Sequence, residues 1–238
     1  MWLESASYLI ALAMLTGAVA NSISGMGFGL ICAPLLALIM DPHQAAALTI
    51  LLSSPSGMAV FLRDRRSARL RDAVVILIPG VITAPLWAWT LVNLNQSTLA
   101  RAVGVTVLLS VALLAFGFRS ERLAGTTGAM VAGTTASAMT VLAAIGGPPV
   151  ALFAMNAGWD ASRARATLQT IFLPLNVVAL LALGVPRWQP AVYLPALAGL
   201  CAGLVIGTFA VQYVSPRVAR VLTLTLAAIS ATTLLVAS

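Results

Sequence analysis

Long charge-free stretches alternate along the chain with short segments that carry the charges. The stretches run from about Ser5 to Met40, Ala45 to Leu62, Ala73 to Thr98, Ala102 to Phe118, Leu123 to Gly158, Ala166 to Pro186, Pro190 to Pro216 and Val221 to the end. Six of them suit one helical membrane crossing each. The first and fifth do not, because about 35 residues of helix would extend roughly 50 Å against a hydrocarbon core of about 30 Å. Each is predicted to be broken or folded back. The breaks are marked by Ser24-Gly25-Met26-Gly27-Phe28-Gly29, with Pro34 following, and by Gly146-Gly147-Pro148-Pro149. Glycine and proline are the poorest helix formers. Each long run therefore reads as a pair of helices, the second member beginning after Gly29 or after Pro149.

The similarity of the two runs points to an internal duplication. Asp41 and Asp160, Pro55 and Pro174, Pro79 and Pro195, and Ala100-Arg101 and Ala219-Arg220 recur in the same order, roughly 116 to 119 residues apart. The chain divides near Arg119 to Arg122, into a first repeat over 1–120 and a second over 121–238 of one membrane domain. Arginine placement chooses between two topologies. If each long run crosses once, the halves are parallel and the arginines divide 8 to 5 between the two sides; if each is a hairpin, the second half is inverted and they divide 11 to 2. The positive-inside rule favours the inverted arrangement, with both termini outside. The expected fold is an all-α polytopic membrane protein of two inverted repeats, each a glycine-broken helical hairpin plus three transmembrane helices.

Composition supports lipid as the solvent, since 61% of residues are hydrophobic and only 8% charged, against roughly 25% charged in soluble domains. The net charge of +7 comes from 13 arginines and no lysine, all between or at the ends of apolar runs. That is the pattern of a cytoplasmic membrane surface, and no nucleic-acid partner is expected. Cys32 and Cys201 lie within apolar runs, so neither a disulfide framework nor a metal site is indicated. Ala18-Val19-Ala20 resembles a signal-peptide cleavage site, but Glu4 precedes it and no basic residue does, so the segment reads as mature protein.

Interrupted helices at matching positions of inverted repeats point to a transport site near the midplane. Helix N-termini offer unpaired N–H groups and the positive end of the dipole, which suit an anion, and glycines admit a ligand close to the backbone. Around the first break the candidate substrate-binding residues are Asn21, Ser24, Gly25, Gly27, Gly29 and Pro34. Around the second they are Ser137, Thr140, Gly146, Gly147, Pro148 and Pro149, joined by Arg165, Thr167 and Gln169 on the next span. Gly199, Gly203 and Gly207 read instead as a helix-packing run. Asp41, with Pro42 behind it, and Asp160 read as helix N-caps, and His43 as an interfacial residue. No Asp, Glu, His or Arg is expected deep in a span, which leaves an intramembrane proton relay without members. Neither a cofactor nor a catalytic residue is expected.

The chain resembles the sulfite exporter TauE/SafE family of bacterial and archaeal membrane transporters. The resemblance rests on Ser24-Gly25-Met26-Gly27-Phe28-Gly29-Leu30 with Ala33-Pro34-Leu35-Leu36, on Gly147-Pro148-Pro149-Val150, and on Arg165-Ala166-Thr167. It implies a multi-pass transporter of the bacterial cytoplasmic (inner) membrane that exports a small sulfur oxyanion or organosulfonate, such as sulfite or sulfoacetate. Substrate, direction, proton coupling and formation of a homo-oligomer stay open at this level. Two rival classes are a transmembrane thiol redox carrier using Cys32 and Cys201, which the repeat does not pair, and a structural membrane scaffold, which needs no broken helices.

Overall fold

A computed structural model describes residues 2–117 and 124–237, and among them the chain is wholly helical. Arg119 and Arg122, where the halves divide, lie outside the described residues. The helices are α1 (Trp2–Ser24), α2 (Gly27–Ala37), α3 (Pro42–Asp64), α4 (Leu70–Val92), α5 (Gln96–Phe116), α6 (Thr126–Ala143), α7 (Gly147–Asn156), α8 (Ala161–Leu183), α9 (Pro190–Ala210) and α10 (Pro216–Ala237). A 3-10 turn, Arg65–Ser67, follows α3. Six of the helices are long and apolar enough to cross a membrane.

Side-chain caps mark the starts of α3, α5 and α8. Asp41, Asn95 and Asp160 accept hydrogen bonds from the backbone N–H groups of Gln44, Thr98 and Arg163, at 3.0, 2.8 and 2.8 Å. Each side-chain oxygen satisfies an N–H that has no acceptor within its own helix. Helices α5, α8 and α10 begin several residues before the charge-free stretches do, and carry Arg101, Arg163, Arg165, Arg217 and Arg220 within their first two turns. At Asp160 the Arg163 N–H, followed by the Ser162 hydroxyl, holds the carboxyl below the ordinary carboxylate range.

Both long runs fold back. Gly17 lies against Phe28 and Cys32, and Gly27 against Ala20, so α1 and α2 are antiparallel; the Cys32 thiol donates to the Ala13 carbonyl at 3.2 Å. In the second run Gly146 meets Thr140, while Phe153 shares an apolar core with Ala129 and Ala132, so α6 and α7 are antiparallel as well. The shorter members start at Gly27 and Gly147, two residues or more ahead of the positions expected from sequence, Gly29 and Pro149. Pro148 and Pro149 fit within the first turn of α7, where a missing N–H leaves no helical bond unmade. Pro34 lies inside α2 rather than ending it.

Small residues join the hairpins to the other spans. Gly199, Gly203 and Gly207 seat α9 along α1 at Ala11, at Leu15 and Ala18, and at Val19 and Ser22, the two helices running in the same direction. Likewise Gly80 and Gly133 bring α4 and α6 together at Ile76 and Pro79, again in the same direction. Helices that lack a hydrophobic driving force between them associate in lipid through such close approach. Two lateral cores result, one uniting α1, α2, α3 and α9 around Met14, Phe28, Leu48 and Leu200, the other uniting α4, α6, α7 and α8 around Ile76, Ala136, Phe153 and Leu168. A third core, with Leu30, Ile50, Val107, Ile145 and Leu183, lies between them.

Between the lateral cores α3 and α8 cross antiparallel, linking Ser53 to Asn176, Gly57 to Gln169 and Asp64 to Arg165. The C-terminal ends of α1 and α3 therefore lie together with the starts of α4 and α8, at an end that carries Arg63, Arg65, Arg66, Arg69, Arg71, Arg163 and Arg165. Helices α1, α3 and α9 run toward that arginine-rich end, and α4, α6 and α8 run away from it.

A side chain at Gly203 would drive into Leu15 and Ala18. Gly203→Leu is predicted to destabilise the detergent-solubilised protein by about 1–3 kcal/mol or more through overpacking, read as a lowered thermal midpoint by fluorescence-detected size exclusion. Gly125→Ala, at a residue with open space around it, is predicted to leave the midpoint unchanged.

Candidate functional site

The two helix breaks are built differently. In the first, Gly25 takes the left-handed conformation (φ +80) and donates its N–H to the Asn21 carbonyl at 2.7 Å. Glycine adopts that region without steric cost. In the second, Ala144 stands at φ 60 where glycine is usual, and the turn closes through Ala144 N–H to Thr140 O at 2.9 Å and Ile145 N–H to Met139 O at 3.0 Å. The first of these is the bond of an αL helix end, from the residue at positive φ to the carbonyl one turn back.

The breaks meet. A methyl group on Gly29 would overlap the Ala144 carbonyl, and one on Gly147 would strike Met26, so each break's glycine is the close-approach surface of the other. Between them is a cavity of about 40 Å³, space on the order of one or two water molecules. Asn21, Gly25, Gly29, Thr140, Gly146, Gly147 and Gln169 line it, which brings together seven of the residues expected from sequence. Met26, Phe28, Ser53, Ala144, Ile145, Phe172 and Asn176 complete the lining.

Hydrogen bonds order the polar part of this wall. Gln169 donates Nε2–H to the Gly25 carbonyl at 2.8 Å and to Asn21 Oδ1 at 3.4 Å, and Asn21 donates to Ser56 Oγ at 2.9 Å. Asn176 donates to Ser53 Oγ at 2.9 Å, and the Ser53 hydroxyl donates to the Ile50 carbonyl at 2.8 Å. Thr140 Oγ1 bonds back to Ala136 O at 2.7 Å. No ionisable side chain is among the lining residues. The starts of α2 and α7 face the cavity, and the first N–H groups of a helix have no acceptor within it. Pro148 and Pro149 remove two such donors from α7, so α2 supplies the larger share.

The remaining candidates lie nearby with other contacts. Ser24 bonds to Ala20 O at 2.8 Å, and Gly27 packs on Ala20. Ser137 is buried beside Gly80 of α4, its hydroxyl unpartnered among the described residues. Pro34 is buried within α2, while Pro148 and Pro149 border a separate apolar cavity of about 300 Å³ against α5 and α6. Thr167 Oγ1 accepts the Arg69 N–H at 3.0 Å. Cys32 is buried and Cys201 exposed, and neither touches the polar cavity.

Arg165 belongs to an ion cluster beneath the first break. Its Nε donates to Asp64 Oδ2 at 2.6 Å, and Arg63 Nε donates to Asp64 Oδ1 at 3.2 Å. The same guanidiniums reach the last carbonyls of α1, Arg63 to Ser22 O at 2.7 Å and Arg165 to Ile23 O at 3.4 Å. Cations there oppose the negative end of the helix dipole. Neither Arg63 nor Asp64 was singled out from the sequence as a site residue; the available signal was an acid, Asp64, set among Arg63, Arg65 and Arg66 at the end of an apolar run.

Ala144→Gly removes the clash of a Cβ at positive φ, and is predicted to raise stability by about 1 kcal/mol, seen as a higher thermal midpoint in detergent.

Curated proteins and solved structures show no match to the chain. The model of the family described as sulfite exporter TauE/SafE matches residues 9–234. With nearly its whole length matched, this multi-pass helical protein belongs to the sulfite exporter TauE/SafE family of membrane transporters.

Proposed function

We propose that the chain is a carrier built of two inverted repeats, 1–120 and 121–238, that moves a small sulfur oxyanion or organosulfonate, such as sulfite or sulfoacetate, across the bacterial cytoplasmic membrane. The observation that carries this reading is the meeting of two helix breaks around one polar cavity without ionised side chains. Uncharged donors on preset backbone bind an anion without a buried permanent charge that would have to be neutralised when the site is empty.

Several features support the repeat. Helix starts recur at Pro42 and Ala161, 119 residues apart, and at Leu70 and Pro190 and at Gln96 and Pro216, each 120 apart. Pairings recur too: α1 lies on α9 as α6 lies on α4, and each α1-type helix runs opposite to its counterpart. The arginine-rich end faces the cytoplasm under the positive-inside rule. Because the breaks touch at Gly29 and Ala144 and at Gly147 and Met26, passage of an anion between them requires the two hairpins to part, which is the rocking motion of one repeat against the other.

Flux into proteoliposomes tests the substrate class, comparing sulfite, sulfoacetate, thiosulfate, sulfate and acetate with and without an imposed proton gradient. Selective flux of a sulfur-containing anion is expected; equal flux of acetate, or none of any, contradicts it. Gly29→Ala is predicted to lower that flux by about tenfold or more at unchanged membrane insertion, as loss of a required close approach does. For orientation, Ser67→Cys is predicted to react with an impermeant thiol reagent only from the cytoplasmic side, and Trp188→Cys only from outside.

A further inference from the structure

We propose that Asp64 is a stand-in anion for Arg165, and that the transported anion reaches the cavity from the arginine-rich end by taking its place. This rests on the reading of the chain as an anion carrier.

The two ends of the α3–α8 crossing differ in chemistry. With Pro42 and Ala161 as matching starts, 119 residues apart, Asp64 corresponds to Leu183, Arg165 to Ala46 and Gln169 to Ile50. Leu183, Ala46 and Ile50 all belong to the central apolar core, together with Leu30 and Ile145 beside the breaks. One side of the cavity is thus closed by hydrocarbon and the other by an ion pair whose side chains are 13% and 11% exposed. An anion crossing hydrocarbon loses its hydration with nothing in return, whereas an anion meeting arginine exchanges water for a charged donor.

Arg165 is placed for that exchange. It lies one helical turn from Gln169, which lines the cavity, and its backbone abuts Gly25 of the first break. One carboxylate serves two guanidiniums, so the cluster of Arg63, Asp64 and Arg165 carries a net single positive charge. Asp64 has a second partner in Arg63 at 3.2 Å and does not lose its only cation when Arg165 turns to an oxyanion. Carboxylate gives way to oxyanion, and Arg165 is never left buried without a counter-charge. The planar guanidinium fork suits either partner.

Two readouts test this, both in a background with Cys32→Ser and Cys201→Ser. The first does not depend on transport: Ser53→Cys, on the cavity wall, is labelled with an anionic methanethiosulfonate reagent in inside-out and right-side-out vesicles. Asp64→Asn is expected to speed labelling about fivefold or more from the cytoplasmic side alone, as weakening one partner of a closed ion pair does. Equal acceleration from both sides, or none, overturns the guarded-end assignment. The second uses radiolabelled sulfite in proteoliposomes of known orientation. Asp64→Asn is expected to lower the half-saturating concentration on the cytoplasmic side severalfold, and Arg165→Gln to raise it about tenfold with Arg165→Lys intermediate. The exchanged pair, Asp64→Arg with Arg165→Asp, separates this from a purely structural bridge: recovered thermal stability without recovered flux supports the proposal, and recovered flux overturns it. Absence of sulfite flux from the unsubstituted protein counts against the carrier reading, while the labelling result still decides the role of Asp64.

Discussion

A helix interrupted inside a bilayer must find partners for the backbone groups that the interruption frees, because hydrocarbon offers none. The rest of this structure follows from how the two interruptions meet that requirement. At the first, the freed carbonyls of Ser22, Ile23 and Gly25 are taken by Arg63, Arg165 and Gln169. At the second, a left-handed turn at Ala144 takes the carbonyls of Met139 and Thr140 within α6 itself. In both cases the carbonyl ends are satisfied by protein, while the opposite ends, the starts of α2 and α7, are turned toward a shared cavity. The donors left over after folding are the ones available to an anion.

The same requirement explains the polar side chains that an apolar bundle otherwise excludes. Asn21, Ser56, Gln169, Ser53 and Asn176 form two short hydrogen-bonded groups across α1, α3 and α8. Each is tied to a break or to a carbonyl of α3, so their cost of burial is offset locally. Small residues then let the hairpins lie close to α9 and α4, which positions the breaks against each other to within the thickness of a methyl group. Packing and site are thus one construction, with Gly29 and Gly147 belonging to both.

Much of this was legible in the sequence. Glycine and proline clusters located both breaks, since no other residues are tolerated so poorly in a helix interior, and Asp41 and Asp160 announced the starts of α3 and α8. The break starts were misplaced by a turn or less because proline is permitted in a first turn as well as after a helix. Ala144 gave no signal, as alanine is the strongest helix former, yet it stands at positive φ where it meets Gly29. Ser137 and Thr140 share a helical face by spacing, yet Ser137 turns toward Gly80 while Thr140 reaches the cavity. Helix α6 is rich in Ala, Gly and Thr, so its sequence carries little contrast between a lipid face and a packed one. The bond between Asp64 and Arg165 joins residues 101 apart in the chain, and a single sequence does not reveal such pairing.

The central claim is that the two breaks form one site that must open for the anion to pass. It is tested most directly by joining them. In a background without native cysteines, Met26→Cys and Ala151→Cys place two thiols in one apolar cluster where the two hairpins face each other, without adding bulk at a glycine of the contact. The account predicts that oxidation links them, that sulfite flux stops, and that a reductant restores it. A linked protein that still carries sulfite at the unlinked rate, or a pair that never links while the protein transports normally, would contradict it.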